Sequence, residues 1–181
     1  QRAGEADVNL VISSVGVLAA KVLEERFHTP YVIGTPIIGF ENVLAEKLIE
    51  SAWTKKSQTA YFSVLQKAHK KDTANFTTIQ NTEAVSNLKK IRSLTETIEK
   101  NKVSGNVYII GESVISQSLK AAMALKQGID ATVICPLETE PEYIGENVLL
   151  FSSEEEIKAA IAEAKTVIAD PIYKTICADE T

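Results

Sequence analysis

Histidine, cysteine, methionine and tryptophan are nearly missing from this 181-residue sequence, with two, two, one and one copies respectively. Two cysteines, Cys135 and Cys177, neither in a CxxC pair, build no disulfide framework and fit a reducing, cytoplasmic setting. Neither His28, in the loop after the first helical segment, nor His69, among Lys67, Lys70 and Lys71, carries the signature of a metal ligand. No apolar run approaches the roughly 20 residues that span a bilayer, and neither a GxGxxG nor a GxxxxGK[ST] motif occurs. The sequence begins at Gln1 and its one methionine is Met123, inside a patterned segment. It therefore reads as a piece of a larger protein, without a complete catalytic site of its own.

Hydrophobic residues make up 45% and charged residues 24%, ordinary globular values that argue against extensive disorder. The net charge of −5 conceals a split: residues 54–104 hold ten Lys and Arg against four Asp and Glu, and the remainder nine against twenty. A basic middle with few aromatics and no recognisable binding module reads as solvated helix faces rather than a nucleic-acid surface. Asn75-Phe76-Thr77 matches a glycosylation sequon, but no secretory signal supports it.

The apolar run Val8 to Ile12 predicts a strand. Ser13-Ser14 follows, and Val15, Leu18, Ala19 and Val22 then take helical spacing. Thr29-Pro30 breaks that helix, Tyr31-Val32-Ile33 supplies a second strand, and Phe40, Val43, Leu44 and Leu48 a second helix. From Trp53 to about Lys102 strand signals nearly vanish, apart from Phe76 to Ile79. Tyr61, Leu65 and Ala68 read as helical, Asp72 to Asn81 as a loop, and Ala84, Leu88, Ile91, Thr95 and Ile98 as a short heptad-like seam.

Alternation then returns. Val107 to Ile110 is a strand, Ile115, Leu119, Ala122 and Met123 mark the expected buried stripe of a helix, and Gly128 stands where a C-terminal cap belongs. Ala131 to Ile134 is a strand, and acidic Pro136 to Gly145, with Glu138, Glu140 and Glu142, a solvated loop. Asn147 to Phe151 is a further strand. Ser153 and Glu156 have capping-box spacing before a helix buried through Ile157, Ala160, Ile161 and Ala164. Thr166 to Ala169 is the last strand, halted by Asp170-Pro171.

Strands and helices in this order predict an α/β fold: a Rossmann-like, doubly wound, mostly parallel sheet flanked by helices, with a helical insertion in the middle. The expected divisions are residues 1–50, the end of one Rossmann-like unit; 51–104, a helical connection; and 105–181, a second unit.

Ligands of open parallel sheets gather beyond the carboxyl ends of strands, where helix N-termini present free N–H groups. Three turns qualify: Ser13-Ser14 with Gly16, Gly34-Thr35, and Gly111-Glu112-Ser113. The plainer reading of each is a serine cap and a glycine for a tight turn. Cys135 ends an apolar strand as a buried thiol, and Asp170 at a strand end has no partner carboxylate for acid–base work.

Ala6 to Ser13, the helix end Leu23-Glu24-Glu25-Arg26-Phe27 and Thr29 to Gly34 resemble the nitrogenase component 1 type oxidoreductases. In that family an Asn-Leu-Val strand precedes a helix ending Leu-Glu-Glu-Lys-Phe-Gly and a Pro-Tyr strand. Val107 to Ser113 with Ser116 to Leu119 is similar to the family's next βα unit, and Val167 to Pro171 to its later strand. The agreement in order and spacing covers residues 6–40 and 105–174.

The resemblance implies a parent oxidoreductase or cofactor-assembly protein of which this chain forms part of a cofactor or substrate cleft. It also implies an iron–sulfur cluster, metallocofactor or tetrapyrrole in the parent but not in the chain alone. The implied partners are a homologous component 1 subunit and an ATP-dependent iron–sulfur reductase, with no nucleic acid and no membrane. Where the molybdenum–iron subunit carries a cofactor-ligating cysteine this chain has Ser13, a poor ligand for iron. The family's arginine-bearing glycine turn corresponds to Gly111-Glu112-Ser113, without arginine. Ser13, Ser14, Gly111, Glu112 and Ser113 are thus the candidate cofactor-binding positions. Two other readings stand beside this one: an α/β lobe holding an anionic small molecule at the Ser13 and Gly111 turns, and a scaffold or homodimer using Leu88, Ile91 and Ile98.

Overall fold

The computed structural model describes residues 5–66, 107–137 and 139–177. In the first stretch, β1 (Asn9–Val11) is followed by a 3-10 turn (Ser14–Gly16), α1 (Val17–Phe27), β2 (Tyr31–Ile33), α2 (Glu41–Thr54) and β3 (Gln58–Thr59). These strands form a three-stranded parallel sheet in the order β1-β2-β3, with Leu10 opposite Val32 and Ile33 opposite Thr59. β3 lies where strand signals had nearly vanished from the sequence. It consists of two polar residues held through backbone bonds to β2, so no apolar alternation announces it.

The second stretch runs β4 (Val107–Ile110), α3 (Ser113–Gln127), β5 (Thr132–Cys135), a 3-10 turn (Pro141–Tyr143), β6 (Val148–Leu150), α4 (Glu154–Ile161), β7 (Thr166–Ala169), a 3-10 turn (Pro171–Tyr173) and α5 (Lys174–Cys177). Its sheet is also parallel, in the order β6-β5-β4-β7. Strand faces alternate as a pleat requires. Val107, Ile109 and Val133 pack with Leu119 and Met123 of α3. Ile110 and Ile134 pack with Ile157 and Ile161 of α4 and Ile176 of α5. The protein is therefore mixed α/β, with two parallel sheets flanked by helices.

The helix ends follow from local chemistry. Gly128 takes φ 65° at the end of α3, and its N–H reaches back to the carbonyls of Ala124 and Met123; a Cβ is disfavoured in that conformation. Ser153 and Glu156 form the capping box that starts α4. His28 ends α1 in the left-handed region and is exposed.

α3 links the two units. Val114, Ala121 and Ala122 enter the core built by Val11, Val17, Ala20, Val32, Phe40 and Tyr61, while Leu119 and Met123 face the second sheet. Being enclosed on two sides, the helix also buries Ser113, Ser116, Gln117, Ser118 and Lys120. Gln117 is fully buried and fully used: its amide NH2 donates to the Tyr143 carbonyl at 2.9 Å, and its oxygen accepts from Gly145 N at 2.6 Å. Lys120 donates to the Glu146 carbonyl at 2.9 Å, and burial pulls its pKa below the ordinary lysine value.

Two apolar patterns differ from expectation. Ile115, placed in the buried stripe of α3, is 46% exposed. On α1 the core contacts are Val17 and Ala20, whereas Leu18 is 65% exposed and Val15, in the 3-10 turn before the helix, is 87% exposed. Beyond the described residues lie His69, the Asn75 sequon, the strand-like Phe76 to Ile79, the loop around Asp72 to Asn81, and the seam from Ala84 to Ile98.

Candidate functional site

Three chain segments that end strands meet one helix start. The turn after β1 brings Ser14 and Val15, and α1 adds Val17 and Leu18. The end of β5 brings Cys135, Pro136 and Leu137, with Thr139, Glu140 and Tyr143 beyond them. The end of β6 brings Leu150, Phe151 and Ser152, and α3 contributes Val114. Together these residues line an open cleft of about 630 Å³ between the two α/β units. That volume is typical of small-molecule sites, as is a carboxyl-end location in a parallel sheet.

The walls are mainly apolar. Val15, Leu18, Leu137 and Leu150 are all at least half exposed, at 87%, 65%, 54% and 50%. Such side chains face the cleft rather than either core. The polar residues of its lining are Ser14, Cys135, Thr139, Glu140, Tyr143 and Ser152. Cys135 is buried, with Sγ 3.4 Å from the Leu137 carbonyl and 3.5 Å from Thr139 Oγ1.

Charge at the cleft is handled by residues of the protein itself. At the start of α3, the Glu112 carboxylate accepts from Val114 N at 3.1 Å and Ile115 N at 3.0 Å, and from Ser14 N at 2.7 Å across the unit boundary. One carboxylate thus occupies the positive end of the helix dipole and the turn after β1 together. On the other side, Lys21 of α1 bonds Glu140 and Glu142 at 2.6 Å each, and its ammonium lies 5.2 Å from the centre of the Tyr143 ring. These bonds raise the Lys21 pKa, and Lys21 pulls Glu142 down to about 2. The acids of the loop after β5 are therefore engaged with α1, where the sequence suggested simple solvation; Glu138 lies outside the described residues.

A buried network holds the Tyr143 wall. Tyr61 donates its hydroxyl to the Tyr143 carbonyl at 2.9 Å, and the Tyr31 and Tyr143 hydroxyls are 3.2 Å apart. Burial raises the pKa of both Tyr61 and Tyr143.

Of the five positions picked from sequence, Ser14 lines the cleft, and Glu112 joins it to α3. Ser113 is buried with its hydroxyl 3.4 Å from the Glu112 carboxylate. Ser13 acts through its backbone, its carbonyl accepting from Gly16 N. Gly111 donates to the Ile134 carbonyl, and a Cβ there would approach Ser116 Oγ to 3.0 Å. At the third turn, Gly34 packs against Leu44 and Phe40, and Thr35 N bonds Ser118 Oγ, which makes it structural. Asp170 accepts from Ile172 N as a turn cap. The residues missed from sequence are Leu18, Leu137, Tyr143 and Phe151. The strand-end rule applies equally to the turns after β5 and β6.

Among the described residues no three His, Cys, Asp or Glu side chains converge as a metal-ligand set, and no helix is long and apolar enough to cross a membrane. Comparison with family models, curated proteins and solved structures finds no match to this chain.

Proposed function

We propose that the chain forms part of a cofactor or substrate cleft in a nitrogenase-like, component 1 type redox or cofactor-assembly protein of the cytoplasm. The single observation that supports this reading most is the 630 Å³ cleft at the carboxyl ends of β1, β5 and β6, between two parallel-sheet units. The family-like segments Ala6 to Ser13 and Val107 to Ser113 lead into the turns bridged by the Glu112 carboxylate. The reversal of strand order between β4 and β7, with helices on both sheet faces, favours a doubly wound arrangement.

The described side chains do not fit an iron–sulfur cluster. Cys135 is the one thiol of the cleft, and Ser13 is not on its walls. In this reading the chain walls and orients the bound group, and the ligands to any cluster come from other parts of the parent or its homologous subunit. The reductase partner belongs to the same proposal. Anaerobic purification with the natural flanking sequence tests it: bound iron and acid-labile sulfide are expected, and absence of both contradicts the family assignment. An anion-binding lobe is less favoured, because Glu112 already occupies the N–H groups such a ligand needs.

A further inference from the structure

On its described walls the cleft offers no cationic group to an incoming molecule. Among the described residues that line it none is Lys or Arg, and Lys21 beside it is bonded to both Glu140 and Glu142. The helix start that would attract an anion is bridged by Glu112 to Ser14 and Val114, both on the cleft wall. An anion entering here would meet the Glu140 carboxylate and find no countercharge among the described lining residues; placing an uncompensated charge against these apolar walls is unfavourable. An apolar body, by contrast, would cover Val15, Leu18, Leu137 and Leu150, which are exposed to solvent without it.

We infer that this cleft takes an apolar small molecule bearing no negative charge, held by the exposed aliphatic walls and oriented by neutral hydroxyls such as those of Thr139 and Ser152. The inference rests on the cleft reading above but not on the family assignment. Glu112 then caps α3 and, by engaging Ser14 N and Val114 N, takes up donors that an anion would need. This is the reverse of the phosphate-binding use of a helix N-terminus.

Two fluorescent probes test this on the 181-residue chain: neutral Nile red and the anionic sulfonate ANS. Nile red is expected to bind with a blue-shifted emission, and ANS at least about tenfold more weakly. L18R and L137R, at positions exposed enough to leave the fold intact, are expected to abolish Nile red binding. E112Q, which keeps a capping oxygen and removes the charge, is expected to narrow the preference several-fold. Equal or tighter binding of ANS overturns the inference while leaving the cleft as a site. Nile red binding that survives both arginine variants overturns the cleft reading itself.

Discussion

Gln117 shows how much of the cleft depends on one side chain that never touches it. Its buried amide joins Tyr143 and the half-buried Gly145 on one loop to Tyr61 of the first unit. Replacing it with leucine keeps the volume but leaves the Gly145 N–H without its partner and removes a donor from the Tyr143 carbonyl. We predict that Q117L lowers unfolding free energy by about 2–4 kcal/mol, measured by urea denaturation. An unchanged midpoint would mean that the loop is held otherwise. This role was not legible in sequence, where a glutamine on a helix looks like a solvent residue. Only the packing of α3 between two sheets makes it interior, and the same enclosure buries Lys120. The strand Tyr31 to Ile33, in contrast, was plain from its residues, because every side chain is buried and β-prone or aromatic.

At the scale of elements, the joints carry the information. Gly39, between β2 and α2, has φ 98°, and a Cβ there would come within 2.7 Å of the Lys126 side chain on α3. The flexible lysine can move, but the backbone conformation is unfavourable for any L-residue. G39A is expected to destabilise by about 1–2 kcal/mol, read as a lowered melting temperature. The strands and the α4 capping box were legible because each is a local pattern. β3 was not, being two polar residues recruited by a neighbour, and the stripe of α1 was misleading because apolar spacing announces a face without saying what covers it. Lys21 on α1 and the loop after β5 form another joint. Glu142 has its pKa lowered from 4.5 to about 2 by Lys21, so the pair contributes its stability above pH 4.5 and loses it as the pH falls towards 2. Because the pair is solvent-exposed, the effect is small and screened by salt. Comparing acid unfolding of wild type and E142Q at low ionic strength should show a shallower stability loss for the variant between pH 4.5 and 2. Parallel curves would mean that the pair is not formed in solution.

For the whole molecule, the cleft exists because two parallel sheets share one helix. Val114, Ala121 and Ala122 place α3 in the first unit's core while its Leu119 and Met123 serve the second. The strand ends of both units are thereby aimed at common space. The fold class could be read from the alternation of strands and helices. The cleft could be read only in part: the strand-end rule picked out Ser14, but which strand ends face one another is a property of the assembled units. The central claim, that this space binds a small molecule, is tested most directly by titrating the 15N-labelled chain with Nile red and following amide shifts. Perturbations centred on Ser14, Val114, Leu137 and Ser152 are expected; saturable binding that leaves those four unmoved would show that the cleft is not the site.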